Sequence, residues 1–153
     1  MLLGDRAFCS FAHLALLLGR GLHGVFRLHP RQIVDFTPHR EHARPGDRKA
    51  PRGRPHSRWL RRLGVTDQLV AWLKPKARPD WMTAEQYASL PGELVVRELR
   101  YRIDRPGFRV KEVTLVTTLL DAELYPLEAL AELYRARWQV ETNLKHLKIT
   151  MDI

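Results

Sequence analysis

The chain has 153 residues, 44% of them hydrophobic, with a formal net charge of +9 and a pI of about 10.3. That length is about one domain, and the basic balance favours a polyanion such as nucleic acid as partner. Its one cysteine, Cys9, excludes an internal disulfide and a cysteine-clustered zinc site. The longest apolar run, Leu14 to Leu18, is too short to span a bilayer. MLLGD lacks the positive start and long apolar core of a signal peptide, so cytoplasmic residence is the default expectation.

Leu2 to Gly4 read as the end of a short buried strand, with Asp5 just past it. Ser10 is a suitable helix cap for FAHLALLLGR, which is apolar on most sides, and Gly21 is a fitting stop. HGVFRLH reads as the next strand. Strand, helix and strand in that order predict an α/β core with a parallel pair. From Arg40 to Arg62 the chain carries nine Arg or Lys against Glu41 and Asp47, with Pro45, Pro51, Pro55, Gly46 and Gly53 inside the stretch and Pro38 just before it. Proline and glycine at that density break helices and ladders, so an exposed basic loop is expected, disordered when alone. Such a loop gains affinity for a phosphate backbone by releasing counterions, with Arg52, Arg54, Arg58, Arg61 and Arg62 as contacts.

DQLVAWLK, from Asp67 to Lys74, fits either strand or helix. MTAEQYASL reads as a short helix capped by Thr83, with Glu85 and Gln86 near the reciprocal capping position. From Glu93 to Asp104 the residues alternate. Val95, Leu99, Tyr101 and Ile103 share one side, and Glu98, Arg100 and Arg102 the other, as in a half-buried antiparallel strand. Arg105 to Gly107 is a turn, and Phe108 to Leu120 a β-branched strand that pairs back as a hairpin. Asp121 reads as the cap of the loop into Pro126, which opens the final helix where its missing N–H is harmless.

That last segment, LYRARWQVETNLKHLKI, places Tyr134, Arg137, Glu141 and Lys148 at steps of three, four and seven. At roughly 100° per residue the last three fall at about 300°, 340° and 320° from Tyr134. A phenol, a guanidinium, a carboxylate and an ammonium then share one helix face, an arrangement suited to holding a metal beside a polyanion. An amphipathic surface helix with pairs such as Arg137–Glu141 is the simpler alternative.

The spacing resembles the tyrosine–arginine–glutamate–lysine signature of insertion-sequence DDE transposases of the IS-four type. GDRAFCS, from Gly4 to Ser10, is similar to the segment that carries the second catalytic aspartate in that family, here Asp5. RLHPRQ (Arg27 to Gln32) and VTLVTTLLDAELYP (Val113 to Pro126) also resemble the family, so the likeness covers nearly the whole chain. It implies an α/β fold: a partial ribonuclease-H-like core with a β-rich insertion before the last catalytic helix. It divides the chain into core (1–34), basic loop (35–62), insertion and return strand (63–120) and catalytic-helix segment (121–153).

The resemblance further implies DNA transposition by metal-dependent phosphodiester cleavage and strand transfer. Asp5 and Glu141 would be catalytic metal ligands for Mg²⁺, with Mn²⁺ as a substitute. Arg137 and Lys148 would bind phosphates, and Tyr134 would bond a phosphate or stack on a base. The implied partner is double-stranded DNA at transposon ends, in a bacterial, nucleoid-associated setting without a membrane, with room for a homodimer in the intact protein. A DDE centre needs three carboxylates, and in the family the first lies upstream of the GDRAF segment. The expectation is therefore a truncated, inactive copy. The alternatives are a DNA-binding remnant without catalysis and another metal-dependent nuclease of ribonuclease-H-like fold.

Overall fold

The computed structural model describes residues 2–4, 9–103 and 111–137, and falls into two compact units, Met1–Leu120 and Asp121–Ile153. The first unit is built on one six-stranded sheet. Its strands in chain order are β1 (Leu2–Gly4), β2 (Gly24–Arg27), β3 (Ser57–Gly64), β4 (Asp67–Leu73), β5 (Glu93–Ile103) and β6 (Lys111–Thr117). Across the sheet they run β1-β2-β6-β5-β4-β3. Only β1 and β2 are parallel; every other neighbouring pair is antiparallel. Two helices interrupt the strands, α1 (Phe11–Gly19) and α2 (Ala84–Ala88). The mixed α/β character expected from the sequence is present.

The short-range signals act as their chemistry demands. Ser10 caps α1, its hydroxyl accepting from the His13 amide at 3.2 Å. The helix ends where Gly21 takes φ +70, while Leu22 N–H reaches Leu17 O at 2.9 Å and Gly21 N–H reaches Leu18 O at 3.0 Å. That bond pair closes a helix through a left-handed residue, which glycine adopts without steric cost. α2 carries a reciprocal capping box between Thr83 and Gln86. α1 lays Phe11, Leu14 and Ala15 on one face of the sheet against Phe26, Val70, Trp72, Val96 and Val116, the main apolar core.

Two expectations change and one ambiguity is resolved. Residues 57–62 are strand rather than loop, because Arg58, Arg61 and Arg62 stand on the outer edge strand, where charged side chains reach water and block further pairing. The ambiguous Asp67 segment is strand β4. The half-buried reading of β5 fails from Val96 to Leu99, four consecutive buried residues, while Val95 is exposed. Glu98 and Arg97 are both inside. A strand covered on both faces loses the alternation that reports a half-buried one. The polar pair survives burial through partners: Arg97 makes a two-pronged ion pair with Asp67, Nε to Oδ1 at 2.7 Å and Nη2 to Oδ2 at 2.5 Å. The expected turn at 105–107 lies outside the described residues.

In the second unit, Asp121 Oδ1 accepts from the amides of Glu123 and Leu124 at 2.9 and 3.2 Å, and Leu130 N–H bonds Pro126 O at 3.1 Å. Residues 127–137 are helical.

Candidate functional site

Asp5, Glu141 and Lys148 lie outside the described residues, but the elements leading to two of them are clear. β1 ends at Gly4, in register with Phe26 of the parallel neighbour β2, so Asp5 follows the carboxyl end of a parallel strand. In open α/β sheets that end is where ligands bind. Gly4 has a packing reason: a Cβ there would run into the ring of Phe26. On the second unit's helix, Tyr134 is buried and Arg137 half-buried, with the Arg137 guanidinium 5.8 Å from the Tyr134 ring centroid. These two members of the spaced quartet therefore meet on one helix face. Asp121, the other strand-end acid, is engaged in its own turn.

The five predicted phosphate contacts differ in their surroundings. Arg54 pairs with Glu41, and Arg58 with Glu93 at 2.9 Å. Such half-exposed pairs contribute little to stability and yield to a stronger anion. Arg52, Arg61 and Arg62 are exposed and form no ion pair among the described residues. The sequence reading left out Arg44, Arg48 and Lys49, which are exposed beside them. The available signal was their place inside the same basic run. His42 reports the local field: partial burial, then the charges of Arg40, Arg58 and Arg44, hold its imidazole below the ordinary value.

A cleft of about 750 Å³ opens at the amino end of α1, between Cys9 and Ser10, His56 and Ser57, and Trp72, with Glu98 at its floor. Glu98 is 1% exposed. Its Oε1 accepts from Gln68 Nε2 at 3.0 Å and its Oε2 from Trp72 Nε1 at 3.1 Å. Burial raises its pKa above the ordinary carboxylate value, opposed by those two donors and by Arg40 and Arg100. Burial first, and Glu98 second, push the Cys9 thiol up to about 12, which disfavours the thiolate. The same Gln68 amide nitrogen donates to Asp35 O at 3.1 Å. Arg40 reaches the same carbonyl through Nε at 2.8 Å, and holds Ser57 through its O at 2.5 Å and its Oγ at 2.8 Å.

Among the described residues, no cluster of three or more His, Cys, Asp or Glu is arranged to hold a metal, and no helix is long and apolar enough to cross a membrane. In comparisons with known proteins, the family model described as the transposase DDE domain matches residues 1–153. No curated protein matches the chain.

Proposed function

Because the chain belongs to the transposase DDE domain family, we infer that it contributes catalytic and DNA-binding residues to a transposase of the IS-four insertion-sequence type. DNA transposition is the activity of the family, and DNA its substrate. The single observation that carries the reading is the family match over all 153 residues. On this reading the parallel β1–α1–β2 unit belongs to a ribonuclease-H-like core, β4 and β5 to the β-rich insertion, and β6 is the return strand.

Asp5 and Glu141 are assigned as metal ligands. Both offer hard carboxylate oxygens, the donor type that suits Mg²⁺ or Mn²⁺. A divalent ion bound there supplies activation of the attacking water and stabilisation of the leaving oxygen. Arg137, set by its contact with Tyr134, and Lys148 hold phosphates near the scissile bond. The exposed arginines of the 40–62 region bind the duplex backbone without reading sequence, alone or in a homodimer.

The test is Mn²⁺ binding by paramagnetic water relaxation on the wild-type chain and on Asp5→Asn, Glu141→Gln and Asp121→Asn. The first two variants should each weaken binding by at least about tenfold. Asp121→Asn should not, since Asp121 is committed to its turn. Equal binding in all four proteins removes the metal assignment.

A further inference from the structure

Residues 28–56 join β2 to β3 without any helix or strand of their own. A connection of that length in a compact domain is either disordered or shaped for a task. This one is fastened. Its first part is held by a chain of hydrogen bonds that starts buried at Glu98 and runs through Gln68 to the Asp35 carbonyl, and from there through Arg40 to Ser57. Rings add to the hold: Arg100 lies 5.2 Å from the Phe36 ring centroid, and the ring of His39, at φ 59, meets that of Trp59 of β3 in a tilted contact with centroids 4.3 Å apart. The Ala43 amide bonds Pro55 O at 2.9 Å and closes a neck.

Beyond that neck, residues 44–54 expose Arg44, Arg48, Lys49 and Arg52, while Gly46 lies close against the Lys76 side chain. The acids nearby offset them only in part. Glu41 is paired with Arg54, and Asp47, whose Oδ1 accepts from the Lys49 amide at 3.0 Å, is the one acid among residues 44–54. The tip is therefore a cationic loop on a hydrogen-bonded base.

We propose that Glu98, Gln68 and Arg40 are positioning residues that hold the 44–54 tip as a preformed clamp for the phosphate backbone of duplex DNA. This rests on the DNA-binding reading above. Gln68 and Glu98 sit opposite each other on β4 and β5 and are each 1% exposed, so neither touches DNA. They act by removing the ordering cost that a loose basic loop carries into the complex.

The discriminating variant is Gln68→Leu, which breaks the link to Asp35 and deletes no charge. Ser57→Ala, which removes one of the three Arg40 contacts, is the milder second variant. Exchange of the Ala43 amide, exchange of the Val96 and Leu115 amides, and duplex affinity across a salt series are measured on each. For Gln68→Leu the expected result is faster exchange at Ala43, retained protection at Val96 and Leu115, and about tenfold weaker binding at an unchanged salt slope. Ser57→Ala should shift the same readouts in the same direction by less, and it decides the matter if Gln68→Leu does not fold.

Unchanged exchange at Ala43, or faster exchange with unchanged affinity, overturns the proposal. The DNA reading fails separately. If a variant with Arg44, Arg48, Lys49 and Arg52 replaced by Ser binds duplex as tightly as wild type, the tip is not the contact, whatever happens at Ala43.

Discussion

Cutting one half of the Arg97–Asp67 pair should be among the most damaging single changes in the chain. Arg97 is fully buried and the Asp67 side chain is 8% exposed, so neither charge has water to fall back on. The pair sits between adjacent strands, Arg97 opposite Leu69 on β4 and Asp67 opposite Leu99 on β5, and its two prongs are short. Arg97→Met leaves a buried carboxylate and Asp67→Leu a buried guanidinium. Removing one partner of a buried pair costs about 3–5 kcal/mol. Domains of this size have about 5–15 kcal/mol in total, so each single variant should lose a large part of its stability.

The double variant Arg97→Met/Asp67→Leu removes both charges and fills the space with apolar atoms. It should recover most of the loss, leaving a coupling energy of several kcal/mol in the double-mutant cycle. Urea unfolding followed by tryptophan fluorescence measures all four proteins. Single variants that each cost under about 1 kcal/mol, with no coupling, would refute the argument, because they would mean that the charges are solvated or held mainly by other groups.

Other changes test other parts. Gly4→Ala pushes a methyl into the Phe26 ring and should cost about 1–3 kcal/mol, with Phe26→Leu restoring part of it in the same unfolding assay. Glu98 has its folded pKa raised, so its contribution is full below its ordinary value of 4.5 and is lost as pH rises through the folded value. Melting temperatures taken from pH 4.5 upward should show Glu98→Gln gaining on wild type, and parallel curves would contradict the burial. Replacing Arg52, Arg61 and Arg62 with Ser should lower the slope of log K against log salt by about 0.9 for each phosphate no longer neutralised; an unchanged slope would show them to be bystanders. Duplex DNA should raise the His42 pKa by neutralising the field of Arg40, Arg58 and Arg44, read as an imidazole proton titration by NMR. A value that does not move would place the DNA elsewhere.

Local chemistry was the legible part of the sequence. Ser10, Thr83 and Gly21 each carry a capping preference set by a few neighbouring atoms, and all three act as read. The parallel pair followed from the strand–helix–strand order. What stayed hidden depends on partners distant in the chain. Glu98 looks like a solvent-facing strand residue until Gln68 and Trp72, thirty and twenty-six positions away, are seen to donate to it. The basic stretch looked disordered because Arg40 gives no sign in sequence of bonding Ser57. The β3–β4 hairpin turns at Val65 and Thr66, without the Asn-Gly or Asp-Gly of tight hairpins, and its register shifts between Arg62 and Gly64. At the candidate site, Tyr134 and Arg137 were readable as neighbours because helix periodicity is local.

The pairing of β2 with β6 sets a timing problem for synthesis. Val25 pairs with Thr117, so one flank of β2 stays unpaired while roughly 90 further residues are made. At about 5–20 residues per second that is roughly 5–18 s. During that interval the nascent chain presents GVFR, an apolar strand whose only sheet neighbour is the short β1. A ribosome that pauses within the arginine- and proline-rich stretch would lengthen the exposure, and crowded translation would give that bare flank other chains to meet. The yield of folded protein should therefore depend on elongation speed between codons 28 and 117 more than on the stability of the finished sheet.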